Sequence, residues 1–320
     1  MDGILKYLNN ILISIVVCTY NRSALLSVCL YSLVRQDAEK GLYEIVIIDN
    51  KSTDDTSVVA QRFVNNNKNI RLIFEEKQGL GNARNRGFIE ALGKYIAYID
   101  DDALAHKDWV SKMYNFILRH PEVKAFGGPY FPYSLMEIPE WMPSEFGKNS
   151  LGEKERPIRF GNEWITGTNM VFSKNIFSEI GGFRDDIGMN ALKISYGEEI
   201  EFLRRIGSSG QIVYYVPSMK VDHLVANYKM NVIWLLKSYY AKGRSKARRH
   251  NTLLPFYRVL VRFIIRITII PMIIISNQDK CIKGRMIDAL LPVASGFGMV
   301  IERIMIGFGF EHIERNQKAY

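Results

Sequence analysis

One stretch of eight residues limits what this chain can fold into. The run Tyr95-Ile96-Ala97-Tyr98-Ile99 is apolar, aromatic and β-branched, and it stops at three consecutive carboxylates, Asp100, Asp101 and Asp102. So short a run after Gly93 predicts a buried strand. Three acids at its end repel one another unless a cation shares their space. A hard divalent ion such as Mg²⁺ takes oxygen ligands, using one or two carboxylates together with substrate phosphates. In open α/β sheets, ligands bind beyond the carboxyl ends of the strands. The stretch therefore points to a metal–diphosphate site. A solvated acidic turn is the competing reading.

The preceding residues set this strand in a repeating pattern. Residues 11–18 form a near-continuous apolar run, as expected of a strand buried on both faces. A polar loop, Thr19-Tyr20-Asn21-Arg22, leads to a helix that Ser23 can cap, with Leu25, Leu26, Cys29, Leu30, Leu33 and Val34 at helical spacing. Strands are predicted at 44–48 and 70–74. A helix starting at Thr53 or Asp54 lies between them, and a second follows Gln78-Gly79-Leu80-Gly81. This alternation implies a mostly parallel sheet with right-handed crossovers, its loops gathered at one rim. No G-x-G-x-x-G follows the first strand and no G-x-x-x-x-G-K-[ST] occurs anywhere, which weakens a dinucleotide-binding reading and excludes a P-loop. The 11–18 run lacks a basic flank and a cleavage site, so it is expected to be a strand rather than an export signal. Cys18, Cys29 and Cys281 suggest neither a disulfide framework nor a zinc site, and a reducing cytosolic setting fits them.

Beyond a helix expected at 109–120, residues 127–164 hold five of the ten prolines, with Tyr130, Phe131, Tyr133, Trp141 and Trp164 among them. A loop of that length reads as a lid or binding wall, or else as a packed irregular segment. A strand is predicted at 164–172, with Gly167 permitting close approach of a ligand. A helix opens at Gly197-Glu198-Glu199, where its dipole favours acids. Short strands at 212–216 and 220–222 lead to His223.

Together these pieces resemble the family 2 glycosyltransferases of GT-A fold, over roughly residues 11–245. The matching stretches are Val17-Cys18-Thr19-Tyr20-Asn21-Arg22, Ile48-Asp49-Asn50-Lys51-Ser52-Thr53-Asp54, Gly81-Asn82-Ala83-Arg84-Asn85-Arg86-Gly87, Asp100-Asp101-Asp102, Gly167-Thr168-Asn169-Met170, Gly181-Gly182-Phe183 and Tyr196-Gly197-Glu198-Glu199. The resemblance implies a metal-dependent transfer of a sugar from a nucleoside-diphosphate sugar to a glycan or lipid-linked acceptor, with inversion. It implies that Thr19, Tyr20, Asn50 and Arg84 line the nucleotide pocket, that Asp101 faces the ribose, and that Asp102 holds Mg²⁺ or Mn²⁺ with Asp100 in support. His223 is a candidate further ligand. Glu199 stands at the position of the catalytic base. The family usually has Asp there, and Glu is one methylene longer, so Glu198 is the alternative base. Asn50 stands where Asp is frequent, which leaves the nucleotide base open.

The charge is concentrated toward the end of the chain. The net charge is +9, and between His223 and Gln278 lie ten Lys or Arg and no acid, so the rest of the chain is near neutral. Arg258, Arg262 and Arg266, four apart, share one helical face within the apolar stretch 253–275. Three charges facing lipid at mid-bilayer are costly, so an interfacial amphipathic helix is expected rather than a spanning one. The stretch 286–310 is apolar but broken by Pro292, Gly296 and Gly298. The alternative is a helical pair packed on the catalytic domain or at a dimer interface, which leaves a homo-oligomer open. The expected division is a catalytic domain at 1–225 and a basic, apolar helical extension at 226–320. The expected location is the cytoplasmic, inner face of the cell membrane, in cell-surface polysaccharide or glycolipid synthesis. A nucleic-acid-binding module is the rival from another class, but the basic run is interleaved with aliphatic side chains rather than stacking platforms, so no nucleic-acid partner is expected. A catalytically inactive scaffold is a third reading, opposed by the intact acids at 100–102.

Overall fold

The computed structural model describes residues 11–161, 163–187, 197–249, 256–276 and 279–307. Tyr196, at the head of the last family-like stretch, lies outside them. The described residues fall into two compact units, one within 1–133, 147–191 and 198–224, the other within 134–146, 192–197 and 225–320.

The first unit is an α/β sandwich. Its strands are β1 (Ile13–Thr19), β2 (Tyr43–Asp49), β3 (Ile70–Phe74), β4 (Tyr95–Asp100), β5 (Ala103–Ala105), β6 (Ala125–Gly127), β7 (Tyr130–Tyr133), β8 (Arg156–Pro157), β9 (Met170–Ser173), β10 (Val213–Tyr215) and β11 (Val221–Leu224). Eight form the main sheet in the order β3-β2-β1-β4-β9-β6-β10-β8, and β5-β11-β7 form a small second sheet. The four strands of one half of the sheet, β3, β2, β1 and β4, are parallel, while β9 runs antiparallel to both β4 and β6. Helices α1 (Ser23–Val34), α2 (Thr56–Asn66), α3 (Leu80–Glu90), α4 (Trp109–Arg119), α5 (Lys174–Ile180) and α6 (Glu198–Ser208) flank the sheet. Every residue of β2 is buried, as the apolar run Ile45–Ile48 suits a strand covered on both faces, and the acids Glu44 and Asp49 are buried with it. One core cluster includes Leu26, Leu30, Trp109 and Phe116, and the other includes Val16, Tyr98, Phe172 and Phe202.

Two local expectations shift. The helix expected from Thr53 or Asp54 begins at Thr56. Asp54 is held outside it because its carboxylate accepts from the Thr56 amide (3.0 Å) and from the Thr56 hydroxyl (2.5 Å). The strand expected at 164–172 is a 3₁₀ turn, Gly167–Asn169, followed by β9. Asn169 accounts for that turn. It is wholly buried, donates to the carbonyls of Pro129 and Met219, and accepts from Trp109 Nε1 at 2.9 Å, so its side chain bolts three segments together.

The second unit holds α7 (Val232–Arg249), α8 (Phe256–Thr268), α9 (Ile270–Ser276) and α10 (Ile282–Gly307). The apolar stretch expected to be broken after 286 is one helix of 26 residues containing Pro292. It packs closely on α7: a Cβ at Gly243 would strike the Ser295 carbonyl, and one at Gly298 would strike that of Tyr240. Buried Glu302 of α10 accepts from Arg244 Nε at 2.5 Å and from Arg248 Nε, joining the two helices by charge. By length and composition α10 is able to cross a membrane, and so are α8 and α9 taken together, although they meet at 45°. Pro271 accounts for that bend, since it has no amide to bond the Ile267 carbonyl at the end of α8 and its ring crowds that carbonyl.

Gly87 of α3 faces β1, where a Cβ would collide with both γ-carbons of Val16. Alanine normally gains about 1 kcal/mol over glycine inside a helix. Here overpacking against a rigid β-branched side chain costs about 1–3 kcal/mol and should win. Gly87→Ala is expected to lower the urea midpoint with an unchanged m-value.

Candidate active site

Strand register places the polar loops side by side. Thr19 pairs with Asp49 and Cys18 with Asp100, so β1, β2 and β4 end at one level. The loops beyond them are tied together by side chains. Asn21 and Lys51 adopt left-handed backbone, with φ of 52° and 68°. Asn21 Oδ1 accepts from the Thr53 amide at 2.7 Å, joining the β1 and β2 loops. Asn50, 6% exposed, donates through Nδ2 to the carbonyls of Glu75 and Lys77 and accepts from the Gly79 amide at 2.8 Å. It thereby shapes the β3–α3 loop. Tyr20 is half-buried beside buried Thr19.

The three acids occupy different environments. Asp100 keeps about a third of its side chain exposed and accepts from the Thr168 hydroxyl. Asp101 is buried, and burial pushes its carboxyl up to about 6, opposed by the Arg22 guanidinium and reinforced by Asp102. Arg22 Nη1 bridges Asp101 Oδ1 at 2.9 Å and Asp102 Oδ2 at 3.0 Å. The second small sheet delivers the histidine. His223 pairs with Ala103 across β11 and β5, and the Leu224 amide donates to the Asp102 carbonyl at 2.9 Å. That register sets His223 Nε2 3.1 Å from Asp102 Oδ1 and 4.0 Å from Asp100 Oδ2.

One ligand atom each from Asp100, Asp102 and His223 lies within 4.8 Å of the others. Two carboxylates and one imidazole form a mixed oxygen–nitrogen donor set, open to Mn²⁺ as well as Mg²⁺. His223 Nδ1 is buried without a hydrogen-bond partner among the described residues, so Asp100 and Asp102 are the polar groups this ring addresses. The residues fit a divalent cation.

A second charge cluster lies beside the first. Arg84 of α3 is 3% exposed, and its Nη1 meets Glu198 Oε1 of α6 at 2.5 Å while Nη2 lies 3.6 Å from Asp100. Gly167 makes room for it, because a Cβ there would strike the guanidinium. Burial alone would pull the Arg84 guanidinium down, but Glu198, then Asp100 and Glu199, hold it above its ordinary range. Glu198 is buried against this arginine, whereas Glu199 is only half-buried. Asp100 and Glu199 both act on the Tyr130 phenol, which burial first of all pushes up to about 12. The Tyr130 ring stands 5.3 Å from that of His223.

The sequence reading thus named acids that the structure gathers around one rim. It missed Arg22 and Thr168 as their partners, although both sit inside quoted motifs. It also gave no sign that Arg84 and Glu198 are mutual partners, because 114 residues separate them.

Residues 14–181 match the family described as Glycosyl transferase family 2, more than half of the chain. A glucosyl-dolichyl phosphate glucuronosyltransferase of Haloferax volcanii is 28% identical over 243 residues, covering 73% of this chain and 76% of that protein. The chain spans about a third of the length of some further curated relatives. A mannosyltransferase of Pyrobaculum calidifontis, solved with GDP-Man and Mn²⁺, aligns with a TM-score of 0.55 at 16% identity over 93% of this chain and 75% of that one. S. aureus TarS 1–349, solved with UDP-GlcNAc, aligns with a TM-score of 0.55 at 16% identity over 93% of this chain and 92% of that one. At such identity the likeness to the solved structures is one of fold. The family match and that fold agree with the motifs at the strand ends: the chain belongs to the family 2 glycosyltransferases.

Proposed function

We propose that this glycosyltransferase moves a sugar, with inversion, from a nucleoside-diphosphate sugar to a glycan or lipid-linked acceptor, using a divalent cation held by Asp100, Asp102 and His223. The observation that carries the reading is the convergence of those three ligand atoms at the carboxyl end of β4. Proteins of like fold solved with GDP-Man and Mn²⁺ or with UDP-GlcNAc support the class of donor. When bound, the cation would offset charge on the departing diphosphate. Thr19, Tyr20 and Asn50 would line the nucleotide pocket, with Asp101 toward the ribose. Arg22, a third exposed, holds Asp101 and Asp102 together at the rim. Arg84 is buried, so its expected part in the nucleotide pocket would be exerted through Asp100 and Glu198, which it fixes in place.

The two acids opening α6 would divide their labour by burial. Glu198 is spent on Arg84, while Glu199 keeps the partial exposure that proton removal from an acceptor hydroxyl requires. The location proposed is the inner face of the cell membrane, in cell-surface polysaccharide or glycolipid synthesis. The second unit supports it, because α8 leaves Leu260, Val261, Ile264 and Ile265 exposed beside a basic face.

Three measurements test this reading. Asp102→Asn keeps volume and loses charge, so the Mn²⁺-dependent thermal shift given by nucleoside diphosphates should vanish while the fold persists. A wild-type shift in that variant would sink the metal assignment. Glu199→Gln should lower turnover by about 10²–10⁴ with donor affinity nearly unchanged; a mild effect there, beside a turnover collapse in folded Glu198→Gln, would move the base by one residue. Glu198→Gln removes one side of a buried ion pair and is expected to cost about 3–5 kcal/mol of stability in urea unfolding.

A further inference from the structure

Trp164 stands near the rim with its indole in solvent. The residue is 44% exposed. A single exposed apolar side chain needs no explanation, but this one is rigidly mounted. Before it, Glu163 is gripped by Arg156, with Oε2 2.7 Å from Nη1 and Oε1 2.9 Å from Nη2, and it accepts from the Arg159 amide at 2.8 Å. After it, Ile165 is buried and packed on β6, where a Cβ at Gly127 would come within 2.9 Å of its side chain. The Trp164 carbonyl accepts from Asn149 Nδ2 at 3.2 Å. Phe160 is equally exposed, yet its ring lies over Gly207 of α6, where a Cβ would come within 3.0 Å of it.

Two routes tie the indole to the reaction centre. Along the chain, four residues reach at most about 14 Å, and the fourth after Trp164 is Thr168, which donates to Asp100. Across the structure, Asn149 and Tyr130 exchange both backbone hydrogen bonds, each 3.0 Å long. Tyr130 is half-buried, and its ring stands 5.3 Å from that of His223. Asp100 and Glu199 both act on the Tyr130 phenol, so it lies within electrostatic reach of a candidate metal ligand and of the candidate base.

We propose that Trp164 and Tyr130 form the seat of the acceptor's sugar, with a pyranose ring stacked on the indole and one of its hydroxyls bonded to the Tyr130 phenol. A pyranose carries carbon-bound hydrogens on its faces and hydroxyls around its edge. The face suits the electron-rich face of an indole, and the edge needs polar partners. A platform already fixed by its neighbours holds the ring at small entropic cost. An acyl chain would cover the indole too, but it has no use for a phenol and carboxylates next to it. The inference rests on the transfer reaction proposed above, and it narrows the acceptor to one that carries its reacting hydroxyl on a sugar.

The test is saturation-transfer NMR on the full chain with Mn²⁺ and UDP or GDP. The probes are a mixture of the methyl glycosides of glucose, galactose, mannose and N-acetylglucosamine, and, in a separate sample, dodecyl phosphate. Wild type should saturate the ring protons of at least one glycoside. Trp164→Ala should weaken that glycoside about tenfold, and Trp164→Phe should recover most of the loss. Tyr130→Phe should weaken it severalfold through the hydroxyl alone. Phe160→Ala should bind it as the wild type does, and the Trp164 variants should keep the thermal shift given by UDP or GDP with Mn²⁺. Three results would each overturn the seat while leaving the donor reading standing: saturation of dodecyl phosphate but of no glycoside, saturation of no probe by a chain that binds nucleoside diphosphate, or wild-type glycoside affinity in Trp164→Ala. Failure of the wild type to bind either nucleoside diphosphate would instead overturn the transfer reading on which the seat rests.

Discussion

Mutual repulsion among carboxylates is the constraint around which the catalytic unit is arranged. Asp100, Asp101, Asp102, Glu198 and Glu199 belong to two segments meeting at one rim, and buried acids are stable only when paired or neutralised. Two arginines meet that need in different ways. Arg84 is buried and joins α3 to α6 through Glu198, with Asp100 at the edge of its reach. Arg22 is a third exposed and joins the loop after β1 to Asp101 and Asp102. The first is structural in character. The second is open to solvent at the rim.

The parallel register turns this local electrostatics into a site. Because β1, β2 and β4 end at the same level, three loops from distant parts of the sequence reach one rim. Side chains then lock the loops together, Asn21 across to Thr53 and Asn50 across to Gly79. The small second sheet adds the histidine by pairing β11 with β5, immediately beyond the acids. A rigid scaffold beneath short polar loops suits a reaction in which positioning and charge stabilisation carry much of the burden.

Much of this was legible in the sequence, and the reasons are specific. The buried strands announce themselves through apolar runs such as Ile45-Val46-Ile47-Ile48, and the acids stand out because they interrupt one. In the sequence Gly167 marks a point of close approach, and the group that approaches is the Arg84 guanidinium. The turn at Gly167–Asn169 was hidden because Asn169 makes its hydrogen bonds to Trp109, Pro129 and Met219, none of them a sequence neighbour. The continuity of α10 through Pro292 was hidden for a related reason. Local propensity predicts a break, and the helix instead runs on in close, glycine-mediated contact with α7. Pairings such as Arg84 with Glu198 belong to the tertiary structure and have no signature in spacing.

The bonding of Asn50 bears on how donor choice could change over evolution. Both of its N–H groups are committed to the Glu75 and Lys77 carbonyls, and its oxygen receives the Gly79 amide. If Asn50 lines the nucleotide pocket as proposed, an amide so engaged would act on a nucleobase chiefly through the shape of the 75–79 segment. Asp at this position would lose both donors and leave the Glu75 and Lys77 carbonyls to find other partners. On the proposed reading, a change of nucleobase preference would then call for replacement of Asn50 together with the 75–79 segment that its side chain holds, a compound step rather than a single substitution.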